Sequence, residues 1–157
     1  MKIGSNWSRK ILPLLAWTVF AVACDDGGGH PDIIAVYFAD VRFSMVGDAT
    51  GAQDFGAFTT DFDLVQLATA EVLLPLAERT LFPIGPIDRG DGGDPWQQIF
   101  GWNWHFVPDE WNLTDSANSQ CDGNAVIVEQ AVDYWVDTVG QFCPAGARVV
   151  GVLVFQN

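Results

Sequence analysis

The spacing of apolar and polar residues changes along the chain, and each change predicts an element. From Ile33 to Val46 the chain is rich in β-branched and aromatic residues in partial alternation, with Val36 and Phe38, then Val41, Phe43 and Met45. That period predicts a strand, bulged around Ala39-Asp40. Gly47 to Gly56 reads as turn and loop. Leu64, Leu67, Ala68, Val72 and Leu73 then follow helical spacing behind a Thr60 or Asp61 cap, and Pro75 stops or kinks that helix near Leu74. Pro83 and Pro86 confine Leu81 to Ile87 to an edge strand or extended segment, and Asp88 to Pro95 is a glycine-rich loop. Ile99 to Val107 is the expected central strand, and Trp111 to Leu113 has room for a short one. Ile127, Ala131, Trp135 and Val139, spaced by four, predict a helix over Ala125 to Val139 behind the Asp122-Gly123-Asn124 turn and before Gly140. Arg148 to Phe155 is an apolar closing strand. Strands and helices are interspersed without strict βαβ alternation. The expected class is therefore α+β: a small, mostly antiparallel sheet with two helices packed on one face, and one disulfide.

The amino-terminal stretch has a different pattern. Lys2, Arg9 and Lys10 precede an apolar run from Ile11 to Ala23, and Ala21-Val22-Ala23 abut Cys24, the three-part layout of an export signal. The run falls short of the roughly 20 apolar residues of a membrane-spanning helix. Its end resembles a bacterial lipoprotein signal, with Ala21 where leucine is usual; ordinary cleavage after Ala23, releasing a soluble protein, is the competing reading. Cysteine parity favours lipidation. An oxidising compartment leaves one of three cysteines unpaired, and a thioether on Cys24 removes it while Cys121 and Cys143 pair. The organisation expected is a signal peptide over 1–23, a lipid anchor and flexible Asp/Gly tether over 24–32, and one domain over 33–157.

Charge narrows the partners. The net charge of the 157 residues is −13, and without the signal four arginines face 20 acids, a net −16 with no lysine. Such a surface repels nucleic acid, and leaves cationic or neutral ligands. The lipid anchor would supply contact with a membrane, at the cell envelope, facing the periplasm or the exterior.

Several spaced motifs carry a family likeness: Thr80-Leu81-Phe82-Pro83-Ile84-Gly85-Pro86-Ile87, Arg89-Gly90-Asp91-Gly92-Gly93, Trp102-Asn103-Trp104-His105-Phe106-Val107-Pro108, Cys121-Asp122-Gly123, Tyr134-Trp135, and Phe142-Cys143-Pro144 with Arg148-Val149-Val150. From about Tyr37 to Val152 the chain resembles the BP-seventy-four amino-terminal-domain-like family of small, mostly exported bacterial domains. Relatives tend to carry glutamate where this chain has Ser119, and tryptophan where it has Ala145. The resemblance implies a compact domain with the two cysteines paired, and no established reaction.

Candidate chemistry is sparse. Cys121 and Cys143 lack the companion ligands of a zinc site, so a disulfide is the favoured role. Trp102 and Trp104, two apart on a strand, share a face, with Asn103 and His105 on the other. With Trp111 and Trp96 they would form either part of the core, the favoured role, or an aromatic platform for sugar rings or peptide side chains. His105 is the domain's lone histidine and its generic acid–base candidate, with Asp109 or Glu110 as partner. Asp88, Asp91 and Asp94 are spaced by three in the glycine-rich loop; ordinary turn chemistry outweighs a calcium site there, and no other cofactor is expected. With no phosphate loop, metal cluster or nucleophile motif, the expected function is a non-catalytic binding or interaction module. Its ligand would be a small molecule, a glycan or a protein, and a hydrolase using His105 with an acidic partner is the alternative.

Overall fold

The structure is a computed structural model, and it describes residues 37–156. Cys24, the signal and the tether lie outside the described residues. The main sheet has three antiparallel strands: β1 (Tyr37–Met45) lies between β2 (Phe55–Thr59) and β7 (Ala147–Gln156). Along β1 the side chains alternate, as a period of two requires. Ala39, Val41 and Phe43 are buried in one face, while Phe38, Asp40 and Arg42 occupy the other. The register with β7 shifts between Arg42 and Phe43, so the irregularity lies later than Ala39-Asp40.

The inner face packs on α1 (Phe62–Leu73), whose Leu64 and Ala68 join the core of Val41 and Phe43. Asp61 caps α1 by accepting bonds from the Asp63 and Leu64 amides, and the helix ends before Pro75 as its sequence predicts. Its buried stripe is Leu64, Ala68 and Glu71; Leu67 and Leu73, counted in the apolar pattern, are exposed. The Glu71 carboxylate accepts from the Thr80 and Leu81 amides, which satisfies it inside.

Two short ladders flank the sheet: β3 (Phe82–Ile84) pairs with β6 (Asn112–Thr114), and β4 (Ile87–Arg89) with β5 (Trp104–Phe106). The expected central strand over 99–107 is therefore corrected. Pro95 opens a helix instead, α2 (Pro95–Phe100), the first turn being where proline is tolerated, and only three residues of that span form strand β5. Strand β2, unforeseen, begins inside the segment read as a loop.

The helix expected over 125–139 is interrupted. It runs as α3 (Ala125–Gln130), breaks at Ala131, and resumes as one turn over Val132–Tyr134 and a π-helical turn over Trp135–Val139 before left-handed Gly140. A strict spacing of four drifts by about 40° at each step around a helix of 3.6 residues per turn, and the non-helical backbone of Ala131 ends the pattern midway. Trp135 is buried; Ile127 and Ala131 are exposed.

Cys121 and Cys143 are disulfide-bonded with α-carbons 5.1 Å apart, and the Cys143 amide donates to the Cys121 carbonyl at 2.8 Å. The bond closes the far end of an aromatic core in which Phe142 touches Phe55, Trp104, Phe106 and Trp135. Each such ring pair contributes about 0.5–1.5 kcal/mol beyond its buried area.

Candidate functional site

The outer face of the main sheet carries the unusual chemistry. Asp40 sits at the middle of β1, opposite Phe58 of β2 and Leu153 of β7. Its neighbours on that face are Phe38, which stacks on Phe58 with centroids 5.6 Å apart, and Phe155, opposite Phe38. A groove of about 400 Å³ opens here, lined by these three phenylalanines, Pro108, Gly92, Gly93 and the carboxyl groups of Asp40 and Asp94. Asp40 is 1% exposed, and among the described residues no amide, hydroxyl or cationic group donates to either of its oxygens. Burial, then the charge of Asp94, then a hydrogen bond shared with the Asp94 carboxyl raise its pKa from 3.8 to about 8. At neutral pH the Asp40 carboxyl is thus held toward its protonated form.

The wall carrying Asp94 is held from below. The Asp94 carboxylate accepts from the Gln97 amide at the start of α2. Fully buried Gln97 ties that helix down: its amide group donates to the Trp104 carbonyl at 2.9 Å, and its carbonyl accepts from the Gly56 amide. His105 lies opposite Asp88 in the β4–β5 ladder, with Nδ1 3.0 Å from the Gly90 carbonyl. Its ring lies against Gly92, where a β-carbon would overlap His105 Cδ2 and Cγ. Gly92 also has φ +61°, a left-handed conformation suited to glycine. His105 therefore supports the loop that forms one side of the groove.

The other residues singled out from sequence fall elsewhere. Trp104 and Trp111 are buried among phenylalanines, and the Trp111 indole donates to the Phe58 carbonyl at 2.7 Å. Half-buried Trp102 stacks obliquely on Trp104 and donates to the Asp54 carbonyl at 2.8 Å. The three rings serve the core and do not converge on an open face. Asp109 accepts bonds from both Thr59 and Thr60; burial works to raise its pKa, but these bonds outweigh it and hold the carboxyl below its ordinary value. Asp88, Asp91 and Asp94 each accept a different backbone amide, from Arg89, Gly93 and Gln97. Among the described residues no group of three or more metal-ligating side chains is found.

Three of the phenylalanines and Asp40 were not singled out from the sequence. The available signal was Asp40 itself, an aspartate within a β-branched run, where that residue type is depleted.

The family model of the BP-seventy-four N-terminal domain matches residues 39–155. The chain belongs to this family. In this BP-seventy-four N-terminal domain the matched span includes Asp40, Asp94, both cysteines and His105. No curated protein and no solved structure matches the chain. The BP-seventy-four match names the domain and no ligand, so the groove's role is argued from its chemistry.

Proposed function

We propose that this chain is a lipid-anchored domain of a bacterial cell envelope, and that the groove on the outer face of its main sheet binds a ligand without converting it. The observation that carries the binding reading is the Asp40 carboxyl, buried in an open, phenylalanine-lined groove with no amide, hydroxyl or cationic donor to it among the described residues. An apolar concavity with a few converging polar groups is the usual form of a ligand site. Support for the anchor comes from the signal-like residues before Cys24, and the disulfide suits an oxidising compartment. A hydrolase built on His105 is the weaker reading, because its Nδ1 is engaged by Gly90 and Asp109 is engaged by Thr59 and Thr60.

Phe58→Ala tests the groove. A ligand found by screening small molecules, glycans and peptides should lose affinity in this variant, and ligands indifferent to it refute the assignment. Turnover of any substrate that His105→Ala abolishes would favour the hydrolase instead. Mass spectrometry of the processed amino terminus tests the anchor: a diacylglyceryl thioether on Cys24 is expected, and an unmodified Cys24 excludes it.

A further inference from the structure

A second concavity, of about 400 Å³, lies where the π-helical turn before Gly140 meets the disulfide-bonded Cys121. We infer that it is a separate site for a neutral saccharide, whose ring lies against Tyr134 while its hydroxyls bond to the carboxamides of Asn118, Gln120 and Gln141 and to the Thr138 hydroxyl. The inference goes beyond the groove, with which this pocket shares no lining residue.

The lining argues for that ligand. Besides the four polar side chains and the Tyr134 ring it holds only Val139 and Cys121, so no charge faces the pocket in a chain of net charge −13. A carboxamide both donates and accepts, as a sugar hydroxyl does, and a set of them satisfies neighbouring hydroxyls without setting a charge against them. A cationic ligand meets no carboxylate here, and an anionic one no guanidinium. The nearest acids in sequence are engaged elsewhere: Asp133 and Asp137 bind Arg89, and Asp122 accepts from the Gly123 and Ala145 amides. Among the described residues, the side chains of Gln120, Thr138 and Gln141 and the Tyr134 hydroxyl bond to no other protein group, which leaves their capacity to a ligand. The Tyr134 ring is 57% exposed and stacks on no other described ring, so its face is open to the apolar side of a sugar. A peptide shares the amide chemistry, but its apolar side chains would find little beyond Tyr134 and Val139.

The walls are set before binding. The turn Trp135–Val139, which follows Tyr134 and carries Thr138, closes with the Gly140 amide donating to the Trp135 carbonyl at 2.8 Å, the wide turn that recurs at functional sites. Opposite it, Asn118 Oδ1 accepts from the Gln120 amide at 2.9 Å and the Asn118 carbonyl from the Cys121 amide at 3.1 Å, which folds that segment back onto the cross-link. Such preorganisation lowers the ordering cost of binding.

Saturation-transfer NMR and calorimetry on the full-length protein, in a polyoxyethylene detergent that carries no sugar, test this. The probes are cellobiose, mannobiose and N,N′-diacetylchitobiose, with glucuronate as an anionic sugar and N-acetyl-trialanine amide as a neutral peptide. At least one of the disaccharides should bind more tightly than glucuronate and the peptide. Tyr134→Ala and Gln141→Ala, both at exposed side chains, should weaken it, the first by at least about tenfold, while Phe58→Ala leaves it unchanged. No binding by any disaccharide, tighter binding of glucuronate or the peptide, or an affinity indifferent to either variant overturns the inference. A disaccharide released by Phe58→Ala and kept by Tyr134→Ala overturns it in favour of the groove. Should every screened ligand respond to Tyr134→Ala and none to Phe58→Ala, the groove reading fails and this one stands.

Discussion

Asp40→Asn should make the unliganded protein more stable, by an amount that grows with pH. Near pH 4 and below, folded and unfolded chains both hold the Asp40 proton, and the residue costs little. As pH rises the unfolded chain releases its proton at the ordinary value of 3.8, while the folded one keeps it until about 8. The folded state therefore binds more protons across that window, wild-type stability declines through it, and the decline levels off above about pH 8. At pH 7 the interval is about three pH units, each about 1.4 kcal/mol, which sets a ceiling of roughly 4 kcal/mol. Two things lower that ceiling. Part of the shift comes from the neighbouring Asp94 rather than from burial, and the replacement amide still has to be buried. The charged side chains placed near Asp40 are Asp94, from the glycine loop, and Arg42, already bound to Asp54; β2 and β7 present Phe58, Leu153 and Phe155 on that face. Asparagine also brings an amide that can donate to the Asp94 carboxylate without titrating. A gain of about 1–3 kcal/mol at pH 8 is expected, or about 4 °C in Tm per kcal/mol, against almost none near pH 4. Urea unfolding followed by tryptophan fluorescence at both pH values gives the difference. A variant less stable than wild type at pH 8, or an offset that does not change with pH, would refute the reasoning.

Three further outcomes follow from the geometry. Reducing the Cys121–Cys143 bond, or Cys143→Ser, should cost about 2–5 kcal/mol and lower the melting temperature, which scanning calorimetry reads directly. Gly92→Ala should destabilise by about 1–3 kcal/mol, because it needs a left-handed alanine and drives a β-carbon into the His105 ring; unchanged stability would mean the loop is not seated there. Trp104→Ala, at a fully buried ring, should cost about 3–5 kcal/mol in chemical denaturation, and a loss under about 1 kcal/mol would be inconsistent with its place in the core.

What was legible in the sequence was whatever rests on short-range pattern. The Asp61 cap, the α1 spacing and Pro75 act locally, and α1 forms where they place it. The apolar run from Arg148 to Phe155 and the alternation from Val36 to Met45 mark the two long paired strands. Strand β2 was hidden because Gly56 and Ala57 have little strand preference, and pairing with β1 supplies what propensity lacks. Pro95 is a helix-start signal that the apolar and aromatic residues from Ile99 onward obscure. The groove was illegible for a different reason. Asp40 and Asp94 lie on separate elements, and the register of β1 with β2 and β7 decides which aromatics surround them.

The pairing of β1 with β7 also bears on how the chain reaches this state. The central strand obtains its longest partner from the other end of the domain, so a loop on the order of a hundred residues must close before the sheet exists. Contacts that distant make for slow folding, and the Cys121–Cys143 bond, lying wholly inside that loop, does not bring its ends together. Until closure, β1 lacks one neighbour, and the β7 segment presents Leu153, Val154 and Phe155 as a bare apolar strand, the kind of segment through which chains associate. The excess of acids over arginines then has a kinetic use: it keeps half-folded copies apart while each waits for its own last strand.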